Sequence, residues 1–135
     1  MRPSLPAAPL AAALLSGVLA LTACAHAGQN APASKTATPG QAFSLARGES
    51  ASLPDRSQLR FVAISADSRC PPKVQCVWAG DAVLEFEWTG ANGAKSALSF
   101  NTVSDARKSA GGWRIEVQGL DFAEPPNATL KVDAE

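Results

Sequence analysis

Leu84-Glu85-Phe86-Glu87-Trp88 alternates large apolar and acidic side chains, and Trp113-Arg114-Ile115-Glu116-Val117-Gln118 repeats the pattern further along the chain. Successive side chains of a β-strand point to opposite faces, so each stretch reads as a strand with one dry face and one wet face. The dry faces carry Leu84, Phe86 and Trp88 in one case and Trp113, Ile115 and Val117 in the other. Working outward, Leu59 to Ile64 is apolar on both parities, which predicts a strand covered on two sides. Leu98-Ser-Phe100 and Leu130-Lys-Val132 are shorter alternating pieces. Phe43-Ser-Leu45 and Ala51-Ser-Leu53, joined through Arg47-Gly48-Glu49, predict an opening hairpin.

From Gln41 onward the apolar bursts are separated by Gly, Pro, Asn, Asp and Ser, and no stretch keeps a helical period for three turns. Six to seven short strands over residues 41–135 predict an all-β domain. It is either a small antiparallel β-sandwich, immunoglobulin-like, or a partly open barrel. The 135 residues have room for one such domain.

The N-terminal region reads differently. Arg2 is its only early charge, and the apolar run from Leu10 to Leu21 ends in Thr22-Ala23-Cys24. That run is too short to span a bilayer and closes on small residues, so residues 1–23 read as an export signal. Leu21-Thr22-Ala23-Cys24 resembles the lipobox of bacterial lipoproteins, which implies cleavage before Cys24 and diacylglycerol on its sulfur. Residues 24–40 lack a large apolar side chain and read as a lipidated, flexible tether. The resemblance implies a cell-envelope address. Ala25, where an aspartate would resemble an inner-membrane retention signal, points to the outer membrane, facing the periplasm.

Formal charges balance at 12 basic and 12 acidic side chains, and removing residues 1–23 takes away only Arg2. Without a basic excess, nucleic acid is not an expected partner. Of the three cysteines, the lipobox resemblance implies lipid on Cys24, which would leave Cys70 and Cys76 to pair in an oxidising compartment. Their ring of seven residues is worth about 2.4 kcal/mol in the chain-entropy account.

These two cysteines sit in the densest stretch of the chain, Asp67-Ser-Arg69-Cys70-Pro-Pro-Lys-Val-Gln-Cys76-Val-Trp78-Ala-Gly80. Asp67 and Ser68 offer oxygens to cap a turn, Arg69 offers charge to Asp67 or another carboxylate, Trp78 is expected inward, and Gly80-Asp81 turns the chain into the next strand. The segment resembles a pattern seen in small, uncharacterised bacterial secreted proteins and lipoproteins, matched at Asp67, Ser68, Arg69, Cys70, Pro71, Val74, Cys76, Val77, Trp78, Ala79 and Gly80. A weaker similarity reaches Pro125 and Pro126. The resemblance implies one structural unit and brings no activity with it.

Catalytic chemistry finds little footing. The only histidine, His26, lies in the tether, which removes histidine-dependent nucleophilic mechanisms. The Cys70–Cys76 spacing is not that of a redox dithiol, and no further soft ligands accompany it, so neither a metal nor another cofactor is expected. Glu85 and Glu87 share a strand face and are the only candidate carboxylate pair; on an alternating strand they read as solvated surface. The expectation is therefore a non-catalytic, membrane-anchored β-domain that binds an envelope protein or a cell-wall component. The alternatives are a hydrolase inhibitor presenting the Cys70–Cys76 loop and, last, a carboxylate-based enzyme. An exposed Pro71–Gln75 loop would favour the inhibitor, and an aromatic-lined groove would favour glycan binding.

Overall fold

The computed structural model describes residues 33–135. The signal segment 1–23, Cys24, His26 and most of the expected tether lie outside the described residues. Within them the chain forms nine strands and no helix. They are β1 (Ser34–Thr36), β2 (Ala42–Ala46), β3 (Ser50–Ser52), β4 (Gln58–Asp67), β5 (Ala82–Thr89), β6 (Lys95–Asn101), β7 (Arg107–Ala110), β8 (Trp113–Leu120) and β9 (Asn127–Ala134). Two sheets pack face to face, one ordered β1-β3-β4-β5-β6 and the other β2-β9-β8-β7. This is an all-β sandwich, as the alternating segments lead one to expect. Each sheet contains a meander, β3-β4-β5-β6 in one and β9-β8-β7 in the other, extended at one edge by a strand from elsewhere in the chain: β1 joins β3 in parallel and β2 joins β9.

The core lies between the sheets and is built by the alternation that defines the strands. Leu84, Phe86 and Trp88 of β5 are buried, as are Ile115 and Val117 of β8 and Leu130 and Val132 of β9. Phe61 stacks on Phe86 with centroids 4.9 Å apart, and Phe100 meets Phe86 edge-on at 5.5 Å, both arrangements that aromatic quadrupoles favour. Trp113 is half-buried at the rim of this core, where its Nε1–H donates to Asp55 Oδ2 at 2.9 Å. A fully buried indole there would leave that N–H without a partner.

Four sequence expectations change. Leu59 to Ile64 is not covered on both sides: Val62 is 45% exposed. Register shifts between Phe61 and Ala63 and between Ile64 and Ala66 turn both Phe61 and Ile64 inward despite their odd spacing, and bulges of this kind scramble a two-residue period. The opening hairpin is not a hairpin, because β2 pairs with β9 while β3 pairs with β4. Residues 47–49 instead cross between the sheets, held by the Gly48 N–H on the Phe61 carbonyl at 2.7 Å and by Glu49, which accepts from the Ala46 N–H and Lys35 Nζ at 2.7 Å each.

The tether boundary at residue 41 also moves. Ser34–Thr36 pairs in parallel with β3, Ala37 is buried, and its N–H reaches the Ser52 carbonyl at 2.9 Å. Backbone pairing orders this strand, so its small polar residues gave no warning. The strand count rises to nine because β1 and the polar β7 join the seven that hydrophobic patterning reveals.

Candidate functional site

The hairpin of β4 and β5 runs past its last regular pair, Asp67 with Ala82. It continues through the Ser68 N–H on the Asp81 carbonyl at 2.8 Å and the Cys70 N–H on the Ala79 carbonyl at 2.9 Å. Cys70 and Cys76 are bonded, with Cα atoms 5.9 Å apart. Gly80 lets the returning strand come this close. Its φ is +70°, and a Cβ on it would lie 1.9 Å from the Ser68 carbonyl oxygen. No side chain fits there.

Arg69 is the hub. Its Nε and Nη2 donate to the two Asp67 oxygens at 2.9 and 2.7 Å, a bidentate fork that a planar guanidinium is shaped to make. Its Nη1 donates across the molecule to the Leu120 carbonyl and to the Asp121 carbonyl at 3.2 Å. The guanidinium carbon sits 4.1 Å from the centre of the Phe122 ring, within cation–π range. The Arg69 hydrogen bonds hold the Asp67 carboxyl below its ordinary pKa.

Two other loops join this end. The β8–β9 loop is braced by Asp121, which accepts from the Asn127 N–H at 2.7 Å, from Ala123 N–H at 3.1 Å and from Asn127 Nδ2 at 2.9 Å. Those bonds, led by the Asn127 N–H, lower the Asp121 pKa. The β6–β7 loop is tied in by Asn101 Nδ2 on Asp81 Oδ2 at 2.8 Å and by the Ala82 N–H on Thr102 Oγ1 at 3.0 Å.

The fixed end carries an apolar surface. Among the described residues, the exposed large hydrophobics are Val62, Val74, Val77, Trp78, Val103 and Phe122. All but Val62 lie on these three loops. Pro71 to Ala79 is exposed throughout, Val77 fully and Trp78 by 65%. The expectation that Trp78 points inward is therefore corrected: the loop carries it beyond the last regular pair of β4 and β5, Asp67 with Ala82, and leaves the indole exposed. Asp67, Arg69 and Gly80 do build the unit, as expected, and the partner of Arg69 beyond Asp67 proves to be a pair of carbonyls and a ring. Phe122 and Val103 were missed; a lone phenylalanine in the polar run Asp121-Phe-Ala-Glu-Pro125 was the one hint.

The carboxylate pair is occupied. Glu85 Oε1 accepts from Ser65 Oγ at 2.8 Å and Ser99 Oγ at 3.0 Å, and Glu87 Oε1 accepts from Lys95 Nζ at 2.9 Å. Both lie on the outer face of the larger sheet beside an open depression of about 290 Å³. Among the described residues no group of three or more His, Cys, Asp or Glu side chains converges as a metal site. The tryptophans do not align into a groove either, since Trp88 is buried, Trp113 half-buried and Trp78 exposed on the loop. Comparison of the chain with protein-family models, curated proteins and solved structures gives no match.

Proposed function

We propose that this chain is a lipid-anchored protein of the bacterial envelope whose β-domain acts by contact, binding a protein partner through the end built on the Cys70–Cys76 loop. One observation carries the reading. Val74, Val77, Trp78 and Phe122 are exposed together on loops that a disulfide and Arg69 hold in place. Concentrated exposed apolar surface marks interaction sites, and a loop fixed before binding loses little entropy on docking. Asp67, Arg69, Asp81, Asn101, Asp121 and Asn127 at this end are hydrogen-bonded within the fold and brace the loops. The anchor rests on Cys24 and its resemblance to a lipobox, and an outer-membrane address rests on Ala25.

Exposure of Pro71 to Ala79 favours one sharper version, in which the loop enters a hydrolase cleft as an inhibitor. The test is capture of partners from envelope extract on the mature protein, beside Trp78→Ala and Val77→Asp variants. A specific partner retained by the parent and lost with both variants is expected; a partner held equally by all three would overturn the assignment of this end. Cys24→Ser should lose fatty-acid labelling and leave the membrane fraction, and continued labelling would refute the anchor.

A further inference from the structure

Strand β6 is the longest edge strand of the sandwich, at seven residues against three for β1, five for β2 and four for β7. Its ladder with β5 has no register shift. The pairs Gly90–Ala94 and Ala82–Thr102 are hydrogen-bonded at the two ends of that ladder. Antiparallel pairs alternate between bonded and non-bonded, so Ser96, Leu98 and Phe100 turn their backbone groups to β5. Lys95, Ala97, Ser99 and Asn101 turn theirs outward. Asn101 is already closed off by reciprocal bonds with Asp105 at 3.1 and 3.2 Å. What stays open is the N–H and C=O of Lys95, Ala97 and Ser99, in a row whose one charge, Lys95, is drawn back onto the sheet by Glu87 at 2.9 Å and which has no proline, bulge or inward charge. Those are the devices by which sandwiches ordinarily blunt an edge. The other edges are short or guarded: β1 carries Lys35, whose Nζ also caps the Ser44 carbonyl of β2 at 2.8 Å, and β7 carries Arg107 and Lys108.

The geometry points to β6 as a self-pairing edge: two copies of this chain join antiparallel through Lys95, Ala97 and Ser99, with Ala97 facing Ala97 across a two-fold axis. Self-pairing is favoured over a foreign strand by three features of the slot. First, this register lets Lys95 face Ser99 of the second copy and the reverse, so every open N–H meets an open C=O. Secondly, the charges complement. Lys95, exposed by 63% at its side chain and paired with Glu87 of its own copy at 2.9 Å, arrives beside Ser99 of the second copy, whose hydroxyl is bonded to Glu85 Oε1, so each lysine meets an acidic strand face and not another cation. The residue on the axis is alanine, so no like charges meet there. Thirdly, the slot ends where Asp105 closes Asn101, and the residue opposite Asn101 in this register is Gly93. Gly93 sits in the β5–β6 turn with φ of +82° and presents no side chain to Asp105. The pairing lies along a sheet edge and leaves the Val74, Val77 and Trp78 surface free.

Ala97→Cys in the full chain tests this. Bonded antiparallel partners stand about 5.5 Å apart at Cα, inside the roughly 4.4–6.8 Å range of a disulfide. Non-reducing electrophoresis of whole cells should therefore show a disulfide-linked dimer, with about tenfold more cross-link than Val62→Cys, because pairing holds the thiols at millimolar effective concentration. Val62 lies on the same sheet face, two strands inward. Ala97→Pro removes only an outward N–H and leaves the β5 ladder, so it should lower the sedimenting mass from two copies to one with an unchanged β spectrum. Cross-linking no greater than at Val62→Cys, a mixed disulfide to a different protein, or a parent that sediments as one copy would overturn the proposal.

Discussion

Replacing Arg69 by alanine removes the side chain that, among the described residues, hydrogen-bonds the Cys70–Cys76 hairpin to the β8–β9 loop. Its side chain is only 13% exposed, so the carbonyls of Leu120 and Asp121 lose a well-shielded charged donor. Each such bond contributes about 1.5–3 kcal/mol at most; partial access of water to the loop reduces the pair to roughly 2–3 kcal/mol. Stacking on Phe122 adds about 0.5 kcal/mol. The Asp67 contact is discounted to at most about 0.5 kcal/mol because Asp67 is a third exposed. The sum, about 3 kcal/mol, converts to a Tm lowered by roughly 12–20 °C for a domain near 100 residues. Arg69→Lys separates fork geometry from charge. A single ammonium cannot hold Asp67 with two parallel bonds while reaching both carbonyls, so lysine should recover less than half of the loss. The assay is a thermal melt of the mature protein, with hydrogen exchange at the Ala123 and Asn127 amides as a local readout. A lysine variant that melts within about 2 °C of the parent would refute the fork argument, and an alanine variant that does so would refute the latch.

Cys70→Ala with Cys76→Ala should cost about 2.4 kcal/mol and lower Tm by 10 °C or somewhat more, leaving the β-rich spectrum intact; intact-mass measurement after alkylation should find no free thiol at these positions in the parent. Gly80→Ala should cost at least about 3 kcal/mol, from left-handed strain plus collision with the Ser68 carbonyl. Gly48→Ala, where φ is +91° but nothing lies within 4 Å of the added Cβ, should cost only about 1–2 kcal/mol; equal losses in urea titrations would refute the collision argument. Asp67, Asp55, Asp121 and Glu49 all have folded pKa values below their ordinary ones, chiefly through bonds from Arg69, Ser57, the Asn127 N–H and Lys35 respectively. Their stabilisation is present above the unfolded pKa and lost as pH falls through the folded one, so Tm should hold from neutrality to about pH 5 and fall below about pH 4. A Tm that rises on acidification would contradict these assignments.

The alternating strands were legible because each solves one local problem: Leu84, Phe86 and Trp88 have to leave water, and only an extended chain puts all three on one side. What patterning could not supply was anything decided by backbone alone. β1 is ordered by its ladder to β3 and has no buried residue of its own, only Ala37 just beyond it entering the core, so Ser34-Lys-Thr36 looks like linker. Arg47-Gly48-Glu49 has the composition of a hairpin turn, and nothing local distinguishes a turn within a sheet from a crossing between sheets. Bulges hid the exposure of Val62 for the same reason. At the candidate site, Asp67, Arg69 and Gly80 were visible as a cluster of turn-forming and charged residues. Their partners Leu120, Asp121 and Phe122 lie some fifty residues on and become neighbours only once both sheets are closed.

Trp78 was assigned inward on the ordinary argument that a large indole leaves water if it can. Its exposure is informative because the loop around it is not loosely made. Gly80, the disulfide and the Arg69 fork each restrict the loop, and a connection between β4 and β5 needs none of them. A two-residue turn would close that hairpin with less chain and no exposed apolar area. The chain instead orders fourteen residues, Ser68 to Asp81, and leaves Val77 and Trp78 in water at their crest. Neither residue contributes to the buried core, so substituting them should move stability by no more than about 0.5 kcal/mol. In the proposed reading their contribution appears when a partner covers them: burying an indole is worth about 2–3 kcal/mol, and a preformed loop surrenders little of that to ordering. A tenfold or greater loss of partner affinity in Trp78→Ala, at unchanged Tm, is the expected result. Loss of both together would return the residue to the fold, and loss of neither would remove this end from recognition.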